Sequence, residues 1–224
     1  MSVPGSVVGR DAVTPNWSLA DLLAGFAVMP FDSGPRVTAL TLDSGRAIPG
    51  SLFLACRGLG SHGLAYAEQA AERGCVAIVA EPDTDWGEAE LGRLAGELAL
   101  PVIPVANLGK RAAEIAARFF GHPSDDLEVF GVTGTAGKTC VTHYLARALT
   151  ADDGLPGVRC AAMGSLGAGF PDEPPDNTGA PGLSTPDAVA VHRELAGLRA
   201  RGARSVALEA SSHALDQRRV GAVR

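Results

Sequence analysis

Short, almost wholly apolar runs alternate along the chain with longer segments in which apolar residues recur every three or four positions. This alternation predicts an α/β fold. Ser18, with Asp21 three positions on, predicts a short capped helix. Residues 36–43 (RVTALTLD) and 51–56 (SLFLAC) predict strands separated by a turn at Pro49-Gly50. Residues 64–73 predict a helix closed by Gly74, and 75–80 (CVAIVA) a strand buried on both faces. A helix over 88–98 and a strand over 101–107 follow. Across 107–120, Leu108, Ala112, Ile115 and Phe119 share one helical face, and Asn107 is placed to cap it.

Residues 121–128 (GHPSDDLE) concentrate turn formers, so the chain is expected to divide there, into domains at 1–125 and 126–224. The second begins with a strand over 127–132 (LEVFGV) and a helix over 138–149, whose buried face is expected to carry Val141, Leu145 and Leu149. Residues 167–182 read as a long loop. Thr185 is expected to cap a helix with Pro186 at its first position. Its buried stripe is Ala188, Val191, Leu195 and Leu198, and Gly202 ends it. A strand follows, ending at Glu209.

Composition narrows the possibilities. The 224 residues carry a formal net charge of −6 and contain no run of lysine and arginine, which argues against nucleic acid as a partner. Four cysteines stand far apart, without CxxC spacing, so neither a zinc site nor a disulfide framework is expected. There is no stretch of about 18 apolar residues and no basic start before an apolar run. A cytoplasmic protein without membrane insertion is the expectation.

Chemistry concentrates at FGVTGTAGKTC, residues 130–140. Here Gly131, Gly134 and Gly137 lie at a strand-to-helix turn, where backbone N–H groups and a helix N-terminus can hold phosphate. Lys138 follows, able to reach β- and γ-phosphates, and then Thr139, whose hydroxyl can reach magnesium. The common G-x-x-x-x-G-K-[ST] spacing would need glycine at position 132, which is Val132. The residues alone therefore read equally as a tight turn bearing a solvated lysine.

The spacing GVTGTxGKT resembles that of the Mur ligases, and two more segments carry the same resemblance. Residues 41–63 (TLDSGRAIPGSLFLACRGLGSHG) are similar to the family's uridine-nucleotide stretch, and residues 205–224 contain a match to its E-x-S-S-H-x-L-x-Q-x-R pattern. The resemblance implies an N-terminal α/β uridine-nucleotide-binding domain followed by an incomplete P-loop-type α/β ATPase domain. It implies ATP binding at Gly131, Thr133, Gly134, Thr135, Ala136, Gly137, Lys138 and Thr139, with Lys138 catalytic. Magnesium would be held by Thr139 and Glu209. Substrate would meet Leu42, Ser44, Leu59, Gly60 and Ser61 in the first domain, and Ser184, Thr185, Ser211, Gln217 and Arg219 in the second.

The implied reaction is ATP-dependent addition of meso-diaminopimelate or lysine to UDP-N-acetylmuramoyl-L-alanyl-D-glutamate through an acyl phosphate, in peptidoglycan synthesis. Ala136 stands where the family has asparagine, Cys140 where it has threonine, Gly45 where it has arginine, and His62 where it commonly has aspartate. On the family's plan a third domain is absent, so the isolated chain is expected to have little or no ligase activity. Two other classes fit the residues: a non-catalytic relative that binds UDP-sugar or ATP, and another amide ligase of the same superfamily. Nucleotide binding without turnover marks the first; failure of UDP to compete for the ligand marks the second.

Overall fold

The computed structural model describes residues 15–58, 60–150, 159–173 and 185–224. Two four-stranded sheets organise the chain. One is parallel and formed, in spatial order, by Ala39–Thr41, Ser51–Ala55, Ala77–Ala80 and Val102–Pro104. The other is mixed and formed by Glu128–Val132, Ser205–Glu209, Cys160–Gly164 and Gly167–Gly169, the last of them antiparallel. A small antiparallel pair, β1 (Trp17–Ser18) and β2 (Arg36–Val37), precedes them, with α1 (Leu19–Leu23) between. Ser18 caps α1 as expected, accepting the Asp21 N–H at 3.1 Å.

The first sheet holds β3 (Ala39–Thr41), β4 (Ser51–Ala55), β5 (Ala77–Ala80) and β6 (Val102–Pro104), all parallel. The run expected as one strand over 36–43 breaks at Thr38. There the Thr38 and Ala39 N–H groups donate to Gly50 O, and the chain crosses from the β1 pairing to the sheet. Helices α2 (Ala67–Glu72), α3 (Glu88–Leu98) and α4 (Leu108–Phe119) cover the sheet.

Side-chain alternation divides the core into two layers. Leu52, Leu54 and Val79 face α1 and α4, with Leu108, Ile115 and Phe119, whereas Phe53 and Ile78 face α2 and α3, with Ala70 and Leu91. Two covered faces explain why β4 and β5 read as unbroken apolar runs rather than alternating ones. Asn107 does not cap α4 with its side chain; its backbone is left-handed, with φ 56°. The Glu81 carboxylate, at the end of β5, instead accepts the Gly109 N–H at 3.2 Å.

The second sheet holds β7 (Glu128–Val132), β8 (Cys160–Gly164), β9 (Gly167–Gly169) and β10 (Ser205–Glu209), with α5 (Lys138–Thr150) on one face and α6 (Ala188–Ala200) on the other. A short α7 (Ser212–Asp216) follows β10. The expected stripe on α5 is corrected by one residue. Thr142 and Ala146 are buried, Leu145 and Leu149 are partly buried, and Val141 is 51% exposed. Small residues beneath the helix, Ala162 and Ala207, let Ala146 approach the sheet and turn Val141 outward.

Part of the expected loop over 167–182 is also strand. Gly167–Gly169 pairs antiparallel with β8, a pairing that glycines do not announce in sequence; residues 174–182 lie outside the described residues. The α6 stripe Ala188, Val191, Leu195 and Leu198 is buried as expected. Its cap is Asp187, which accepts the Ala190 N–H at 2.9 Å, because the Thr185 hydroxyl is engaged elsewhere. Among the described residues no helix is long and apolar enough to cross a membrane.

Candidate functional site

The carboxyl ends of parallel strands, where ligands commonly meet α/β sheets, carry the chemistry. After β3, the Thr41 hydroxyl bonds the backbone of Asp43, and the Asp43 carboxylate accepts the Gly45 N–H at 2.8 Å. This turn carries Ser44 inward, leaving it 7% exposed. Leu42, Ser44, Ser61, Tyr66 and Gln69 line a cavity of 560 Å³. The Ser44 hydroxyl donates to Gln69 Oε1 at 2.6 Å, and Ser61 Oγ lies 3.4 Å from the Tyr66 hydroxyl.

Gly60 sits at the tip of a reversal closed by the Gly58 N–H donating to Ser61 O, while Leu59 lies outside the described residues. His62 fastens the base of this reversal. Its Nδ1 accepts the Leu64 N–H at 3.1 Å, so Nε2 carries the proton that reaches Glu81 O at 2.8 Å. The Cys56 thiol at the same rim is pushed up to about 12 by burial and the nearby Glu81 carboxylate, so it stays a thiol at neutral pH.

A second cavity, 740 Å³, shares Leu42, Cys56 and Gly58 with the first and continues past Arg57 and Lys110 to Gln217 and Arg219. Arg219 is held in place: Nε donates to Gln217 Oε1 at 2.9 Å and Nη1 to Thr185 O at 3.0 Å. Thr185 itself is 1% exposed, and its hydroxyl donates to Glu209 O at 2.9 Å while accepting the Ser211 N–H at 3.1 Å. Ser211 Oγ accepts the Ala214 N–H and caps α7. These two hydroxyls therefore build the turn from β10 into α7. Ser184 lies outside the described residues.

Strand register sets the remaining residues beside one another. Glu209 pairs with Val132, the last residue of β7, and Ala210 N–H donates to Val132 O at 2.9 Å. Gly131 precedes Val132 within β7, and the exposed residues Thr133, Gly134, Thr135, Ala136 and Gly137 lead into α5. Gly134 and Gly137 adopt φ of 149° and 77°, which side-chain-bearing residues resist. Lys138 Nζ donates to Gly134 O at 2.8 Å, and Thr139 lies in the first turn of α5.

Glu209 is fully buried, and its only side-chain partner among the described residues is Ser165. Its Oε1 accepts the Ser165 N–H and Oε2 the Ser165 hydroxyl, each at 3.1 Å. A Cβ at Gly164 would collide with the Glu209 side chain, so glycine makes the room. No salt-bridge cation reaches this carboxylate among the described residues. A buried carboxylate with no cationic side chain as partner among the described residues fits a hard cation with oxygen ligands. Gln69, Ser165, Arg57 and Lys110 escaped the sequence reading, since each is joined to the site only by the fold.

Residues 132–224 match the Mur ligase middle domain. Over 189 residues the chain is 46% identical to UDP-N-acetylmuramoyl-L-alanyl-D-glutamate–2,6-diaminopimelate ligase of Alkalilimnicola ehrlichii, a match covering 84% of this chain and 36% of that protein. The chain belongs to the Mur ligase family. The ligase of the same name from Pseudomonas putida is 43% identical over 196 residues, covering 84% of this Mur ligase chain and 35% of its own length. The chain thus spans little more than a third of the curated relatives it matches. A solved structure of a protein with that name shares the fold, with a TM-score of 0.69, 23% identity, and coverage of 92% of this chain and 38% of that one. MurF from Acinetobacter baumannii gives a TM-score of 0.56 at 17% identity, covering 88% and 36%.

Proposed function

We propose that the chain is the uridine-nucleotide-binding domain and part of the ATP-binding domain, over 1–125 and 126–224, of an ATP-dependent ligase that adds a diamino acid to UDP-N-acetylmuramoyl-L-alanyl-D-glutamate. The observation that carries this reading is the pair of adjoining cavities, with Leu42, Cys56 and Gly58 in common, one lined by Ser44 and the other by Arg219. It offers a nucleotide-sized recess at one end and a fixed arginine at the other. The sequence identity to ligases of that name supports the same assignment.

In this reading the first cavity takes the uridine, Arg57 and Lys110 face the diphosphate, and Arg219 pairs with a substrate carboxylate. ATP lies on the loop 133–137. A γ-carboxylate oxygen of the D-glutamyl residue attacks the γ-phosphorus and ADP leaves; the incoming amine then attacks the acyl carbon, phosphate departs, and the nitrogen gives up a proton. Lys138 exchanges its bond to Gly134 O for the oxygens of the migrating phosphoryl group, where charge-assisted donation is stronger. Loop N–H groups orient the phosphates and keep the attack in line. Magnesium, when held by Thr139 and Glu209, would neutralise phosphate charge as a Lewis acid.

The test is equilibrium binding of a fluorescent ATP analogue, with magnesium, to the purified 224-residue chain. The chain is expected to bind, and Lys138→Ala to weaken binding roughly tenfold or more. Absence of binding, or the same affinity in Lys138→Ala, would count against the nucleotide assignment.

A further inference from the structure

Ser44 and Gln69 reach the 560 Å³ cavity from different elements, the turn after β3 and the helix α2. Their 2.6 Å hydrogen bond fixes the orientation of both groups. With Oε1 occupied by the Ser44 proton, Gln69 has its two Nε2–H donors left for a ligand, and Ser44 Oγ, having given its proton, keeps acceptor lone pairs. The cavity therefore presents an acceptor and a donor side by side, the acceptor on a buried residue. The half-exposed ring of Tyr66 shares the cavity and offers a flat surface to a base.

We propose that the Ser44–Gln69 pair reads the imide edge of uracil: Gln69 Nε2 donates to a ring carbonyl and Ser44 Oγ accepts the N3 proton. Gln69 is then a specificity-determining residue for uridine over cytidine nucleotides. The assignment rests on the uridine reading of this cavity and names what enforces it. Uracil offers an N3–H donor beside the C4 carbonyl acceptor; cytosine offers a bare N3 acceptor beside an N4 amine donor. Cytosine would set donor against donor and acceptor against acceptor, leaving desolvated groups unpaired. The two bases differ little in shape, so packing by Leu42 or Tyr66 cannot make this distinction.

Calorimetric titration of the 224-residue chain with UDP and with CDP tests the assignment, with Gln69→Glu as the variant. Glutamate keeps an oxygen for the Ser44 proton and removes both donors, and position 69 is exposed on α2, so folding is preserved. The readout is the ratio of UDP to CDP affinity, since an added negative charge weakens both diphosphates alike. The wild-type chain is expected to favour UDP by roughly tenfold or more, and Gln69→Glu to bring the ratio near one or invert it. The same ratio in the variant and the wild type would overturn the role of Gln69 while leaving the uridine pocket intact. A wild-type preference for CDP would mean that the amide faces the other way, and the proposal would fall. No binding of UDP by the wild type would overturn the uridine reading itself, and this assignment with it.

Discussion

Glu209 shows how one side chain depends on residues that no local pattern connects to it. It lies 44 positions from Ser165 in sequence, yet both of its oxygens end on that residue. Gly164 supplies the space. Adding a methyl group there forces the buried carboxylate off its two donors. Gly164→Ala is therefore expected to lower stability by about 1–3 kcal/mol, from overpacking and partial loss of the hydrogen bonds. Gly169→Ala on β9, where a Cβ meets nothing within 4 Å, is the matched control and should change stability far less. Urea unfolding midpoints of the two variants decide the matter; equal shifts would show that the Glu209 environment is looser than described. The sequence could mark Glu209, because it falls on the glutamate of the E-x-S-S-H-x-L-x-Q-x-R pattern. Ser165 and Gly164 could not be marked, because cross-strand neighbours have no fixed spacing.

At the scale of elements, the apolar pattern located strands and helices well, and caps less well. The helix over 88–98 and the buried stripes of α4 and α6 follow from periodicity, because burial on one face is written directly into residue type. Caps depend on which of several polar residues is free. Before α6, Thr185 and Asp187 both qualify chemically, and only the fold shows that Thr185 is occupied by Glu209 O and Ser211 N–H. Removing each should therefore fail differently. Asp187→Ala loses one N-cap bond and is expected to cost about 0.5–2 kcal/mol. Thr185→Ala strands a backbone donor and an acceptor at the β10–α7 turn, costing about 1–3 kcal/mol. It should also speed amide hydrogen exchange at Ser211, which Asp187→Ala should leave alone. Protection at Ser211 that survives Thr185→Ala would refute the bridging role. The α5 stripe was misread for a related reason: Val141 and Ala146 compete for the sheet, and the small strand residues beneath favour the smaller side chain.

Across the whole molecule, the two sheets meet through helices. α4 packs on α6, Val189 of α6 joins the first core, and the C-terminal turn wedges Gly221 against Ala113. His192 ties this junction together, its Nε2 bonding Gly221 O at 2.9 Å while the buried Nδ1 has no partner among the described residues. No pattern announced this histidine, since a polar residue within an apolar helical stripe reads as an exception until its partner appears, here 29 residues on. Burial holds its pKa below the ordinary value, with the Gly221 carbonyl pulling the other way and His122 adding to the depression. An unfolded histidine binds a proton near pH 6.5, whereas the folded chain resists that proton until lower pH. Below about 6.5 the unfolded state therefore takes up more protons, and this residue's share of stability is lost as the pH falls towards its folded pKa. His192→Gln removes the titration. Urea midpoints at pH 7.5 and pH 5.5 should fall more for the wild type than for His192→Gln; equal falls would mean that acid sensitivity arises elsewhere. The order of loss also matters, because a proton on His192 strains the seam between the two sheets. Acidification should therefore increase hydrogen exchange in α6 and the C-terminal turn before it reaches β4 and β5, which lie in the other core.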